Sequence, residues 1–265
     1  MVRIAFGLEY AGDAFKGWQS QPHGRTVQDV VERALGIVAG EPVRTAVAGR
    51  TDTGVHAAVQ VAHFDTSAHR PETAWVRGAN NHLPRSVAIR WAVEVDDSFH
   101  ARYCACERAY RYLLFNAPVR PAVLAGRAGW FHLPLDEAKM AAAAARLPGE
   151  RDFSAFRAAS CQAKTPVRIM SEASVTRDGN MIVFDFCANG FLHHMVRNLV
   201  GALVAVGKGA KPPEWIGELL ESRDRSRGAP TFAPDGLYLC GVSYQPHWPL
   251  PGEGRIIVRP RLALI

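Results

Sequence analysis

Gly49 and Gly54 bracket Arg50-Thr51-Asp52-Thr53, so a guanidinium and a carboxylate stand two residues apart in one short segment. Glycine at both ends permits a tight, exposed turn. The apolar run Val43–Ala48 before it reads as a strand, which makes the turn project from a sheet edge. A carboxylate presented there can act as a nucleophile toward carbon. The plainer alternative is an Asp that only bonds its own backbone. Motifs for other chemistries are missing: the chain has no G-x-x-x-x-G-K-[ST], no G-x-G-x-x-G opening a helix, no H-E-x-x-H and no G-x-S-x-G. Val206-Gly207-Lys208-Gly209 has the look of a phosphate loop, but it closes a helical stripe, where glycine serves as a C-cap.

The elements that must carry this turn follow from periodicity. Val2–Tyr10 alternates as a strand, and Thr26 can cap a helix through Val27, Val30, Val31, Leu35 and Val38. Strands are expected at Ala58–Thr66 and Ser86–Val95, with a helix over Pro71–His82 between them. Glu107–Phe115 alternates again, Leu135–Leu147 reads as a helix, and Val175 with Met181–Ala188 as a hairpin around Asp178-Gly179-Asn180. Leu192, Met195, Val196, Leu199, Val200, Leu203 and Val206 make one helical stripe. A short helix near Pro213–Leu220 and a strand at Leu237–Tyr244 follow. The order predicts an α+β fold: two similar α/β halves, 1–104 and 105–265, around a mixed, mostly antiparallel sheet with helices packed on it. Val2–Val38 and Met181–Val206 share a strand–turn–helix order that hints at duplication. Trp248–Ile265 has no assignable role.

Composition narrows the partners. The 265 residues are 48% hydrophobic and 21% charged, ordinary for a globular chain. No apolar stretch is long enough to span a membrane, and Met1–Glu9 reads as a strand rather than a signal peptide. Five scattered cysteines without a C-x-x-C argue against a disulfide framework or structural zinc and for the cytoplasm. The formal charge of +6 is compatible with a polyanionic partner. Basic residues cluster as Arg108 with Arg111, as Arg223, Arg225 and Arg227, and as Lys208 with Lys211.

Two resemblances compete for the turn. Asp-Thr-Gly is similar to the aspartic protease triplet, but there it follows large apolar residues. Here it follows Gly-Arg-Thr, and the arginine opposes a shared-proton carboxylate pair. The longer block Gly49-Arg50-Thr51-Asp52-Thr53-Gly54-Val55-His56-Ala57 closely resembles the catalytic motif of the tRNA pseudouridine synthase A family. Four further blocks resemble that family's motifs in order: Phe99–Arg102 with Arg108–Tyr112, Asp152–Arg157, Asn189–Asn198 and Ala233–Leu239. Together they span about residues 3 to 245, leaving the last twenty or so outside. Thr53 departs from the small residue often found at its position.

The resemblance implies an isomerase that converts anticodon stem-loop uridines of tRNA, at positions 38, 39 and 40, to pseudouridine. It implies Asp52 as nucleophile, Arg197 as its salt-bridge partner, Arg50 for base extrusion, and Tyr110 and Leu237 against the target uracil. It also implies a homodimer, one tRNA spanning both subunits. Whether Asp52 attacks C1′ or C6 stays open. Breaking an N–C glycosidic bond and rejoining the base through carbon requires no redox step or group donor, so no cofactor and no metal are expected. Arg197 falls about 120° from the centre of its helix's apolar stripe, on the flank, where its head can reach a site. An aromatic plane at Tyr110 suits an unstacked base. Arg108, Arg111 and Lys208 are expected to touch tRNA phosphates. His193 and His194, near Cys187, are expected to play an ordinary or RNA-contacting role rather than bind metal. The competing reading is a non-catalytic tRNA-binding or chaperone module. It gains nothing from a carboxylate aimed at a polyanion.

Overall fold

The structure is a computed structural model and describes residues 1–260. In chain order its strands are β1 (Val2–Tyr10), β2 (Thr45–Val47), β3 (His56–Thr66), β4 (Val87–Val95), β5 (Ala105–Asn116) and β6 (Gly129–Phe131). They continue with β7 (Gly149–Asp152), β8 (Val167–Asp178), β9 (Met181–Ala188), β10 (Leu237–Tyr244) and β11 (Arg255–Ile257). The α-helices are α1 (Val27–Ala39), α2 (Glu137–Ala144), α3 (Met195–Gly207) and α4 (Trp215–Ser222). The expected Pro71–His82 helix forms around a π-helical stretch, Ala74–Gly78.

The described chain divides into two compact units. One comprises Met1–Arg108 and the segment from Tyr238 onward; the other is Ala109–Leu237. The join near Arg108 lies close to the 104/105 division read from sequence. The last strand goes elsewhere: Tyr238 and Leu239 pair in parallel with His56 and Ala57 of β3, which puts β10 in the first unit. That pairing is fixed by residues far apart in the chain, so no local pattern announces it.

In the first unit β1 lies antiparallel between β3 and β4, and β2 adds antiparallel to β3. Phe6, Leu8, Val31, Leu35, Val61 and Phe64 are buried in its core. Helix α1 begins with the cap expected of Thr26, and the structure makes it reciprocal: the Thr26 side chain accepts from the Asp29 amide while the Asp29 carboxylate accepts from the Thr26 amide. It ends at Gly40 in the left-handed region, φ 76°. The tail beyond Tyr244 acquires a role. Trp248 packs edge-on against Phe99 at 5.1 Å, Leu250 is buried, and β11 pairs with β10. Residues 261–265 of that tail lie outside the described chain.

In the second unit β7, β8 and β9 form an antiparallel ladder, and β6 runs parallel to β5. Helix α3 is the apolar stripe made real, with Leu199, Val200 and Leu203 fully buried. Lys208 caps its C-terminus and Gly209 follows at φ 78°, so the glycine-rich run is a helix end. β3–β10 and β5–β6 are parallel, while β1–β3, β1–β4, β2–β3, β7–β8, β8–β9 and β10–β11 are antiparallel, in keeping with the expected mixed α+β arrangement.

Candidate active site

Asp52 sits in the turn between β2 and β3, partly exposed, beside an exposed Arg50 and a buried Thr51. The turn is held at several of its peptides. The Ala48 amide donates to the Val61 carbonyl at 2.8 Å, the last rung before the chain leaves β3. The Gly49 carbonyl accepts from Gln60 Nε2 at 2.6 Å. The Thr51 carbonyl accepts from the Trp18 amide at 3.0 Å, and the Asp52 carbonyl from the Val55 amide at 3.1 Å. Gly17, at φ 84°, is required here: a Cβ on it would lie 2.9 Å from the Thr51 carbonyl oxygen.

A buried polar trio lies under the turn. Tyr10 Oη and Thr51 Oγ1 are 2.7 Å apart, and Gln60 Nε2 donates toward Tyr10 Oη at 3.4 Å. Burial pushes the Tyr10 hydroxyl up to about 12, so it remains protonated and able to donate. Sequence reading missed Tyr10 and Gln60. A glutamine inside the apolar stretch Ala57–Ala62, fully buried, was the available signal.

Arg108, from the start of β5, faces the same turn. Its Nε and Nη2 donate to the Ala48 carbonyl at 3.3 and 3.0 Å, and further bonds run to the Ala105 and Arg102 carbonyls. Arg111 departs further from the sequence reading. It is buried, and its Nε and Nη2 form a two-pronged bond to the Asp185 carboxylate, each at 2.8 Å. A guanidinium committed in this way is an internal crosslink from β5 to β9.

The second unit carries the remaining residues. Tyr110 is 8% exposed, its ring edge-on to Phe191 at 5.0 Å. Tyr112, the alternative two positions on, is fully buried, donates to the Ala233 carbonyl at 2.9 Å, and is raised by that burial above the ordinary phenol range. It is a core residue. Leu237 is buried next to Gly236, where a Cβ would stand 2.2 Å from the Leu113 carbonyl oxygen. The Asp235-Gly236-Leu237 block thus needs its glycine for close approach to β5. Arg197, in the first turn of α3, donates through Nε to the Phe232 carbonyl at 2.8 Å, while the Phe232 amide bonds back to the Arg197 carbonyl. Lys208 is exposed at the end of α3. Of the basic loop, Arg225 is tied to Asn198 Oδ1 at 3.1 Å, while Arg223 and Arg227 are exposed. The His193 and His194 rings lie 4.0 Å apart, tilted by 41°, with Ser160 Oγ 3.1 Å from His193 Nδ1. His194 adopts a left-handed φ of 60° where α3 begins.

An α+β chain thus carries a carboxylate on a braced turn, with an exposed guanidinium two residues before it. A family model described as tRNA pseudouridine synthase matches residues 8–104 and 143–245. The chain is 63% identical over 264 residues to "tRNA pseudouridine synthase A" of Aromatoleum aromaticum, covering all of both chains. It is 61% identical to the protein of that name from Dechloromonas aromatica, covering 94% of this chain and 95% of the relative. Against that of Methylobacillus flagellatus the identity is 60%, covering 96% and 97%. The chain belongs to the tRNA pseudouridine synthase family and has its α+β fold. No helix of the described residues is long and apolar enough to cross a membrane.

Proposed function

We propose that this protein is an isomerase that converts uridine to pseudouridine in the anticodon stem-loop of tRNA, at positions 38, 39 and 40, with Asp52 as the nucleophile. The observation that carries the reading is the braced turn. An Asp needed only for its own backbone bonds would not call for hydrogen bonds to the carbonyls on both sides of Arg50 and a buried hydroxyl network beneath it. Preorganisation of this kind is what a covalent step demands, because about 1 Å of misplacement can cost on the order of 100-fold in rate. Family membership supplies the reaction class and the tRNA substrate.

In this reading the uridine leaves its stack, and Arg50, exposed and without a partner among the described residues, fills the space or holds a phosphate. Tyr110 and Leu237 flank the uracil, and Arg197 pairs with the Asp52 carboxylate and fixes its rotamer. Asp52 bonds to C1′ or C6, the glycosidic N–C bond breaks, the base turns, and C5 joins C1′. Asp52 is displaced from C1′ as that C–C bond forms, or is expelled from C6 as a base takes the C5 proton; in both routes the C5 proton goes to the base. The exposed Arg50, Lys208, Arg223 and Arg227 supply charge for the phosphate backbone. The enzyme acts in the cytoplasm as a homodimer and takes no cofactor or metal. Carbodiimide mapping of tRNA before and after incubation tests the reaction. New stops at the anticodon-arm uridines are expected, with activity kept after chelation. An unchanged tRNA would leave the binding-module reading.

A further inference from the structure

Arg108 was expected to meet phosphate, and its surroundings give it a different task. It reaches the Ala48 carbonyl with two nitrogens, at 3.0 and 3.3 Å, while the Ala48 amide is already locked to β3. Its Nη1 meets the Ala105 carbonyl at 2.9 Å and Nη2 the Arg102 carbonyl at 2.6 Å. One planar fork therefore joins two segments: the strand end that opens the Asp52 turn, and the 102–105 loop that leads into β5. Ala48 is itself 2% exposed, so its carbonyl has little water to accept from and depends on this donor. On the other side of the turn the peptides are held by Gln60, Trp18 and the Tyr10–Thr51 pair. Arg108 adds a donor at the Ala48 carbonyl, which those residues do not reach.

We infer that Arg108 is a positioning residue for Asp52: it fixes the base of the catalytic turn through the Ala48 carbonyl, and its charge is not used to bind tRNA phosphate. This rests on the proposed nucleophilic role of Asp52. The chemistry separates the two roles cleanly. A phosphate contact needs a positive charge, which lysine supplies. The three-carbonyl fork needs a rigid planar guanidinium, which lysine cannot copy.

The test uses the full chain with Arg108→Lys and Arg108→Ala, read by turnover at saturating tRNA, by tRNA affinity across a salt series, and by thermal midpoint. The inference predicts that Arg108→Lys loses at least tenfold in turnover, with affinity within about twofold and the salt slope unchanged. Arg108→Ala loses more turnover and likewise keeps its salt slope. Parent-like turnover of Arg108→Lys overturns the inference. So does a salt slope for Arg108→Ala that falls by about 0.7 to 0.9, the loss expected for one phosphate contact. Should the alanine variant fail to fold, the lysine variant alone decides. Asp52→Asn is assayed alongside. If it is inactive while Arg108→Lys is parent-like, only the inference about Arg108 fails. If Asp52→Asn keeps its activity, the nucleophile assignment itself fails.

Discussion

Asp185→Asn offers a stringent check on the internal crosslink of the second unit. Arg111 and Asp185 are each 8% exposed and share two 2.8 Å bonds between neighbouring strands β5 and β9. The amide keeps the shape and one acceptor but leaves the Arg111 guanidinium buried without its counter-charge. Removing one partner of a buried ion pair typically costs about 3–5 kcal/mol, because the surviving charge is left uncompensated. At about 2–4 °C per kcal/mol for a chain of this size class, the midpoint should fall by about 6 to 20 °C. Calorimetry measures the fall, and the double variant Arg111→Met/Asp185→Leu should recover most of it, since no charge then remains buried. The tRNA affinity of whatever stays folded should not change. A midpoint shift under about 2 °C in Asp185→Asn would refute the crosslink. So would a loss of affinity in folded Arg111→Met with a reduced salt slope, which would restore Arg111 as a phosphate contact.

Two other perturbations probe the first unit. His63 accepts the Ala101 amide at 3.2 Å and lies against His100 at 4.7 Å; burial, with the His100 and Arg3 charges, lowers it from 6.5 to about 4. The unfolded chain therefore takes up this proton first, so the stability His63 contributes is complete above pH 6.5 and drains away down to about pH 4. His63→Gln should flatten the fall of the thermal midpoint across that window, and a curve parallel to the parent's would refute the assignment. Gln60→Leu strips the Gly49 carbonyl of its 2.6 Å donor, at a cost of about 1–3 kcal/mol for a group left unsatisfied. Turnover should drop more than tRNA affinity, and a loss confined to affinity would contradict the bracing role of Gln60.

The parts of this fold that sequence reveals are those whose causes are local. The Thr26 cap adjoins its own helix, and the α3 stripe repeats within a few turns, so both were legible. Strand β8 was largely missed because only Met170 and Val175 along Val167–Asp178 are buried, and its ladder with β7 and β9 rather than an apolar face makes it a strand. The placement of β10 on β3 and the role of the tail depend on partners far away in the chain. The same division holds at the site. Gly49, Arg50, Asp52 and Gly54 announce a functional turn by type and spacing. The groups that hold it still come from β1, β3 and β5, and of these only Gln60, a glutamine in an apolar stretch, is marked by its neighbours. Arg111 looked like surface charge because its carboxylate is 74 positions on.

The central claim rests on one carboxylate, and Asp52→Asn isolates it. The substitution preserves side-chain shape and the backbone bonds of the turn, since the Asp52 carbonyl and not its carboxylate accepts the Val55 amide. The measurement is tritium release from C5-labelled uridine in tRNA, made with tRNA affinity determined on the same preparation. The account predicts release at background, with affinity retained or slightly raised because a negative charge has left the neighbourhood of phosphates. Release within about tenfold of the parent, a barrier change of only about 1.4 kcal/mol, would show that Asp52 is not the nucleophile.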